Sequence, residues 1–211
     1  DLPHISNFTD FDALAGEPDV RVKIVRRAKD LGAPDAVILP GSKNVMEDLG
    51  YLKKTGLDQK ISSLAAGKKT QIVGICGGFQ MLGREIADPG GLESAPGSKA
   101  RALGLLPVVT RLFPDKTLKR CNARHVPSGL TLCGYEIHHG LTGGGNLTPA
   151  VQTGDGETIG LAAQDGHIWG TYLHGLFDAD AFRRWFIDRL RLQRGLPACG
   201  KIRALYDLEP A

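Results

Sequence analysis

The sequence predicts an α/β fold: a mostly parallel central sheet flanked by helices, with an antiparallel extension in the second half. Three observations predict it. Short, unbroken apolar runs at 35–39 and 71–75 read as strands buried on both faces, as parallel strands are. Between them lie helical stretches with an apolar face, and alternating strand and helix favours parallel pairing through right-handed crossovers. After Gly83 the pattern turns to short alternating runs separated by Gly-rich turns, which argues for mixed or antiparallel pairing.

Taken in order, residues 1–11 mix turn formers with Leu2, Pro3, Ile5, Phe8 and Phe11. They read as the end of a first strand, with Asn7 and Asp10 in the loop that follows. Val20 to Val25 alternates and reads as a strand. Ala28 to Leu31 reads as a short helix. The run 35–39 stops at Pro40-Gly41-Ser42-Lys43-Asn44, a loop that exposes backbone N–H groups at the carboxyl end of a strand. Val45 to Leu52 and Leu57 to Ala66 read as helices, the second with Leu57, Ile61 and Leu64 on one face.

Residues 88–101 are rich in Gly, Pro and Ser and read as loop. Strands are expected at Leu103–Thr110, Lys116–His125, Thr131–His138 and Thr158–Ala163, with a flexible loop over 140–149. Gln164 to His167 is a hairpin turn ahead of a strand at Ile168–Tyr172. A last helix, Ala181 to Arg194, is expected to be capped by Asp178 or Asp180 and to stop at Gly195-Leu196-Pro197. The domain expected from this pattern covers 1–195, followed by a tail over 196–211.

The chemistry centres on Gly74-Ile75-Cys76-Gly77-Gly78. A strand ends at Cys76, small residues flank it two positions away on each side, and a helix start follows. This is the G-x-C-x-G form of the nucleophile elbow, a turn tight enough to demand glycine around the nucleophile. A thiol there is expected at a helix N-terminus, where N–H groups and the dipole favour the thiolate. The competing reading is a buried structural cysteine. A phosphate loop is disfavoured, because neither G-K-[ST] nor G-x-G-x-x-G spacing is present.

A thiol of ordinary pKa, about 8.5, needs a base nearby to act as a nucleophile. His174 follows the apolar strand 168–173, so it is expected at the same carboxyl edge as Cys76. His138, at the end of another strand, is the second candidate. The oxyanion donors expected are the N–H of Gly77 with that of Gly41 or Ser42; an ordinary turn is the alternative for Pro40-Gly41.

Composition limits the rest. The 211 residues carry a net charge of +3 with no dense basic run, which gives nucleic-acid binding little support. Cys76, Cys121, Cys133 and Cys199 have no C-x-x-C spacing, so a thiolate metal site is not expected, and Cys121 with Cys133 is a pairing that nothing requires. All four are expected reduced. No apolar run reaches about 18 residues and no signal peptide is visible, so a cytoplasmic setting without a membrane span is expected.

Several stretches in order resemble the class I glutamine amidotransferases, and within them the cobyric acid synthase type. They are Ile5-Ser6-Asn7-Phe8-Thr9-Asp10-Phe11-Asp12, Leu39-Pro40-Gly41-Ser42-Lys43-Asn44, Gly74 to Gly83, Gly104-Leu105-Leu106-Pro107, Gly134-Tyr135-Glu136-Ile137-His138 and Gly170 to Phe177. The resemblance implies a flavodoxin-like glutaminase domain in which Cys76 attacks the side-chain amide of L-glutamine and His174 serves as base and acid. It implies a substrate contact for Gln80, one helical turn after Cys76. It implies delivery of ammonia to activated corrin carboxylates at positions b, d, e and g, with ATP and Mg held only by a synthetase domain of the same polypeptide that is absent here, and the corrin bound elsewhere. No cofactor is expected in the glutaminase half itself.

One departure stands out. Most class I members carry Glu two residues after the His, and here that position is Leu176. A third member is therefore expected elsewhere, with Glu136 or His138 as candidates, or from a partner domain. Other readings of the same elbow are a glutaminase for a different acceptor such as a peptidoglycan precursor, a peptidase or γ-glutamyl hydrolase, or an inactive assembly domain.

Overall fold

The computed structural model describes residues 1–204. The expected tail over 196–211 lies partly outside the described residues; the part within them folds back, with Cys199 and Gly200 donating N–H bonds to Asp188.

In chain order the elements are β1 (Ile5–Ser6), α1 (Asp12–Ala15), α2 (Ala28–Leu31), β2 (Ala36–Leu39), β3 (Gly41–Ser42), α3 (Val45–Thr55), α4 (Leu57–Ala66), β4 (Gln71–Ile75), α5 (Gly77–Leu82) and β5 (Glu85–Asp88). There follow β6 (Ser98–Arg101), β7 (Val109–His125), β8 (Thr131–Gly143), β9 (Thr148–Thr153), β10 (Thr158–Ala162), β11 (Ile168–Thr171), β12 (Leu173–His174) and α6 (Asp180–Gln193). One mixed sheet runs β12-β8-β7-β9-β10-β11-β4-β2, with β5 and β6 attached beside β7. Its parallel core is β2, β4 and β11, at one end of this order, and every residue of β4 is buried. The antiparallel part is the larger one.

Several sequence expectations need correction. The segment 20–25 alternates but forms no strand. Alternation alone does not make a strand; a paired neighbour does. This segment faces β2 across an apolar groove of about 580 Å³, with Val22 and Ile24 exposed. Leu103–Thr110 is irregular until Val109, where β7 begins and runs unbroken to His125. The gap expected between Thr110 and Lys116 is a register irregularity between Arg111 and Lys116, on a stretch exposed enough to tolerate Pro114.

The loops expected at 88–101 and 140–149 are likewise shorter than they read. Ser98–Arg101 pairs with the unexpected strand β5, β8 continues to Gly143, and β9 starts at Thr148. Neither Asp178 nor Asp180 caps α6: Ala179 holds the cap position with no side-chain cap bond. That helix buries Phe182 and Phe186, leaves Trp185 and Leu190 half-buried, and is tied to the N-terminal segment through Arg183 Nε to Glu17 Oε1 at 2.8 Å.

Candidate active site

The elbow is built by steric exclusion. Cys76 has φ 51°, a left-handed value that a side chain rarely accepts, and holds it between β4 and α5. A Cβ on Gly78 would stand 2.0 Å from the Leu39 carbonyl oxygen, and one on Gly74 would stand 2.6 Å from the Phe79 nitrogen. Only glycine fits at either position.

This crowding brings the Pro40 loop against the elbow. A Cβ on Gly77 would meet the Ser42 nitrogen at 2.8 Å. The N–H groups of Gly77 and Ser42, both expected as oxyanion donors, are therefore neighbours. Gly41 faces the imidazole: its Cβ would stand 2.8 Å from His174 Cε1 and 3.5 Å from Nε2. His174 itself lies just beyond β11, which pairs in parallel with β4, and is fully buried. The sequence-placed Cys76, Gly77, Gly41, Ser42 and His174 thus converge on one sheet edge.

The residue that sequence reasoning missed is Asp10. Its Oδ2 lies 2.7 Å from His174 Nδ1, and its Oδ1 accepts the Gly175 N–H at 2.8 Å. Asp10 is buried and fixes the imidazole with Nε2 turned toward the Gly41 loop. Asn7, in a left-handed conformation, places its amide nitrogen 3.2 Å from the same Nδ1, and Tyr135 stacks on the ring at 5.2 Å. The short segment that carries Asn7 and Asp10 also holds the oxyanion loop, because Ile5 and Ser6 of β1 pair with Ser42 and Gly41. Asp48 completes this clamp by accepting from the Ser42 hydroxyl at 2.6 Å and from the His4 N–H at 3.2 Å.

Glu136 and His138 do not occupy the third position. Their side chains face each other on β8, His138 Nε2 lying 3.4 Å from Glu136 Oε2, with Lys119 3.2 Å from Glu136 Oε1. Burial pushes the Glu136 carboxyl up, but His138 and Lys119 outweigh it and hold the group below its usual range. His138 also stacks on Tyr172 at 3.7 Å. Gln80 is buried, and its amide donates to the His139 carbonyl at 2.9 Å and to the Tyr172 hydroxyl at 3.4 Å. In this structure the Gln80 amide nitrogen braces β8 over the elbow.

The expected thiolate is also corrected. Burial, opposed by the Gly77 N–H and reinforced by the charges of Asp10, Glu93 and Glu136, pushes the Cys76 thiol up to about 12. Helix α5 has six residues, too short for its dipole to offset that desolvation. The thiol is protonated and donates to the Ile137 carbonyl at 3.3 Å. All four cysteines are free. Among the described residues no cluster of His, Cys, Asp or Glu could hold a metal ion, and no helix is long and apolar enough to cross a membrane.

Residues 1–182 match the family described as the CobB/CobQ-like glutamine amidotransferase domain. The chain belongs to this family. A cobyric acid synthase of Nitratidesulfovibrio vulgaris is 46% identical over an alignment that takes in 100% of this chain and 45% of that protein. The adenosylcobalamin biosynthesis bifunctional protein CobDQ of Leptospira interrogans is 50% identical over 99% of this chain and 24% of its own length. The chain thus spans less than half the length of these curated relatives. Among solved structures, a glutamine amidotransferase superposes with a TM-score of 0.65 at 16% identity, covering 91% of this chain and 96% of that one, which supports the amidotransferase fold. The family membership and this fold agree with the amidotransferase resemblance read from the motifs, and they make the chain a CobB/CobQ-like glutamine amidotransferase domain.

Proposed function

We propose that this domain hydrolyses L-glutamine through a Cys76 thioester and passes the ammonia to an ATP-dependent synthetase domain of the same polypeptide, for amidation of corrin carboxylates in the cytoplasm. ATP and Mg belong to that other domain. The observation that carries the reading is the bond from Asp10 Oδ2 to His174 Nδ1, with the opposite edge of the same ring packed against the Gly41 loop that abuts Gly77.

Because burial pushes the Cys76 thiol up to about 12, no preformed thiolate is available near neutral pH. Proton removal must accompany attack. His174 Nε2 takes the thiol proton as sulfur adds to the amide carbon, and the Gly77 and Ser42 (or Gly41) N–H groups hold the oxygen that becomes negative. The imidazolium, stabilised by the Asp10 carboxylate, returns the proton to the leaving nitrogen and ammonia departs. Water, deprotonated by His174, then cleaves the thioester, releasing glutamate and restoring the thiol. The thiol must first leave the Ile137 carbonyl, so binding of the amide is expected to displace the Tyr135–His139 stretch of β8.

Glutamate release from L-glutamine by the full-length protein tests the proposal. Wild type is expected to turn over and to be labelled on Cys76 by a diazoketone analogue of glutamine. Cys76→Ala is expected to do neither. Equal rates in the two proteins would overturn the assignment.

A further inference from the structure

Three carboxylates raise the Cys76 thiol through their charge: Asp10, Glu93 and Glu136. Two of them face a base, Asp10 on His174 and Glu136 on Lys119 and His138. Glu93 has no ion pair among the described residues. It is half-buried, and its Oε2 accepts the Met46 N–H at 3.0 Å.

Its place is fixed from both sides. Asp88, itself buried, accepts the N–H groups of Leu92, Glu93 and Ser94 at 2.8, 2.8 and 2.9 Å and so pins the loop. Met46 lies in the first turn of α3, next to Val45. A Cβ on Gly77, the residue after the nucleophile, would touch Val45 Cγ2 at 3.1 Å. The carboxylate therefore borders the elbow on its α3 side. Desolvation raises its pKa, opposed by the Met46 and Val45 N–H groups. A partly desolvated carboxylate without a cation is a group that a cationic ligand satisfies.

We infer that Glu93 recognises the α-ammonium group of the substrate amide, an inference that rests on the glutaminase reading above. The elbow binds the carboxamide end, and a short aliphatic chain separates that amide from the α-nitrogen. The ammonium group distinguishes L-glutamine from other primary amides, so its partner sets selectivity. The competing role for Glu93 is purely to cap the first turn of α3. Glu93→Gln separates the two roles, because the amide oxygen still accepts the Met46 N–H while the charge is lost.

The test compares kcat/KM for L-glutamine and for glutaramate, the same amide acid without the α-amino group, in full-length wild type and Glu93→Gln. Wild type is expected to prefer L-glutamine by about tenfold or more, the scale of one partly desolvated charge pair. The variant is expected to lose most of that preference through a higher KM for L-glutamine, with kcat retained and the melting temperature unchanged. Wild type that takes both amides equally, or a folded variant that keeps the full preference, overturns the inference. Should Glu93→Gln fail to fold, Glu93→Asp withdraws the charge by one methylene: a reduced preference supports the inference, and an undiminished one overturns it. Wild type that hydrolyses neither amide and leaves Cys76 unlabelled by the diazoketone removes the glutaminase reading, and this inference with it.

Discussion

A Cβ on Gly78 would stand 2.0 Å from the Leu39 carbonyl, whereas Leu118 on β7, opposite Ile137 on β8, is 70% exposed. The parallel centre and the β7–β8 ribbon are thus held by different means. At the centre, backbone meets backbone and sequence freedom is nearly nil. Along the middle of β7, from Phe113 to Arg120, no residue is buried, and pairing to β8 is the main restraint. Yet the ribbon supplies the groups that cover Cys76 and His174: the Ile137 carbonyl accepts a hydrogen bond from the thiol, and Tyr135 stacks on the imidazole. A rigid Cys76 turn beneath a weakly packed cover is a division of labour that suits gated access.

The sharpest way to break this contrast is Gly78→Ala. The added methyl meets a backbone carbonyl that cannot move without shifting β2, so the expected cost exceeds about 4 kcal/mol. The variant should be insoluble or unfolded in chemical denaturation. A stable, active Gly78→Ala protein would show that the elbow has slack.

Asp10→Asn comes next, and it acts on chemistry more than on stability. The amide can still accept the Gly175 N–H but no longer fixes the Nδ1–H tautomer or stabilises the imidazolium. A loss of about 10²–10⁴ in kcat is expected, with a circular dichroism spectrum like wild type. If kcat stays within a few-fold, His174 is positioned by Asn7 and Tyr135 alone.

Much of this centre was legible because its signals are local. Strand, cysteine and paired glycines occupy neighbouring positions, and His174 closes a strand that reads as buried. Asp10 was not, since it meets a histidine 164 residues away through a turn whose direction depends on the left-handed Asn7. The sequence offered an acid in a turn-rich segment and no sign of its target. Glu136 and His138 misled for the converse reason: alternation puts them on one face of β8, but does not say which face looks at the imidazole. The thiol's protonation was missed because desolvation is a property of the assembled site. The first strand of the ribbon was misread as two because the stretch between Thr110 and Lys116 contains Pro114, whereas an exposed two-stranded ribbon tolerates it.

The base of the ribbon behaves like the centre, and pH can show it. His125, the last residue of β7, is buried against Trp169, Phe182 and Trp185, and burial, with a smaller contribution from Arg189, lowers its pKa from 6.5 to about 4. Between those values the unfolded chain binds a proton that the folded chain excludes. Its contribution to stability is therefore complete above about pH 6.5 and is lost as pH falls toward about 4, by up to about 3 kcal/mol. Denaturant melts from pH 7 to 4 should show this slope in wild type and a shallower one in His125→Gln. Equal slopes would assign the acid loss to other groups.

The smallest effect is expected at the exposed middle of the ribbon. Leu118→Lys removes an apolar side chain that is already mostly in water and leaves the Leu118–Ile137 backbone pairing intact. Its stability should stay within about 0.5 kcal/mol of wild type. Glutamate release should also be unchanged, since the thiol and imidazole contact β8 through the Ile137 carbonyl and the Tyr135 ring and do not involve Leu118. A drop of several degrees in melting temperature would mean that the ribbon is packed far more tightly than its exposure implies. A drop in turnover at unchanged stability would mean that the outer strand controls the cover over Cys76, and the division between rigid centre and loose ribbon would then run between β8 and the elbow instead of through β7.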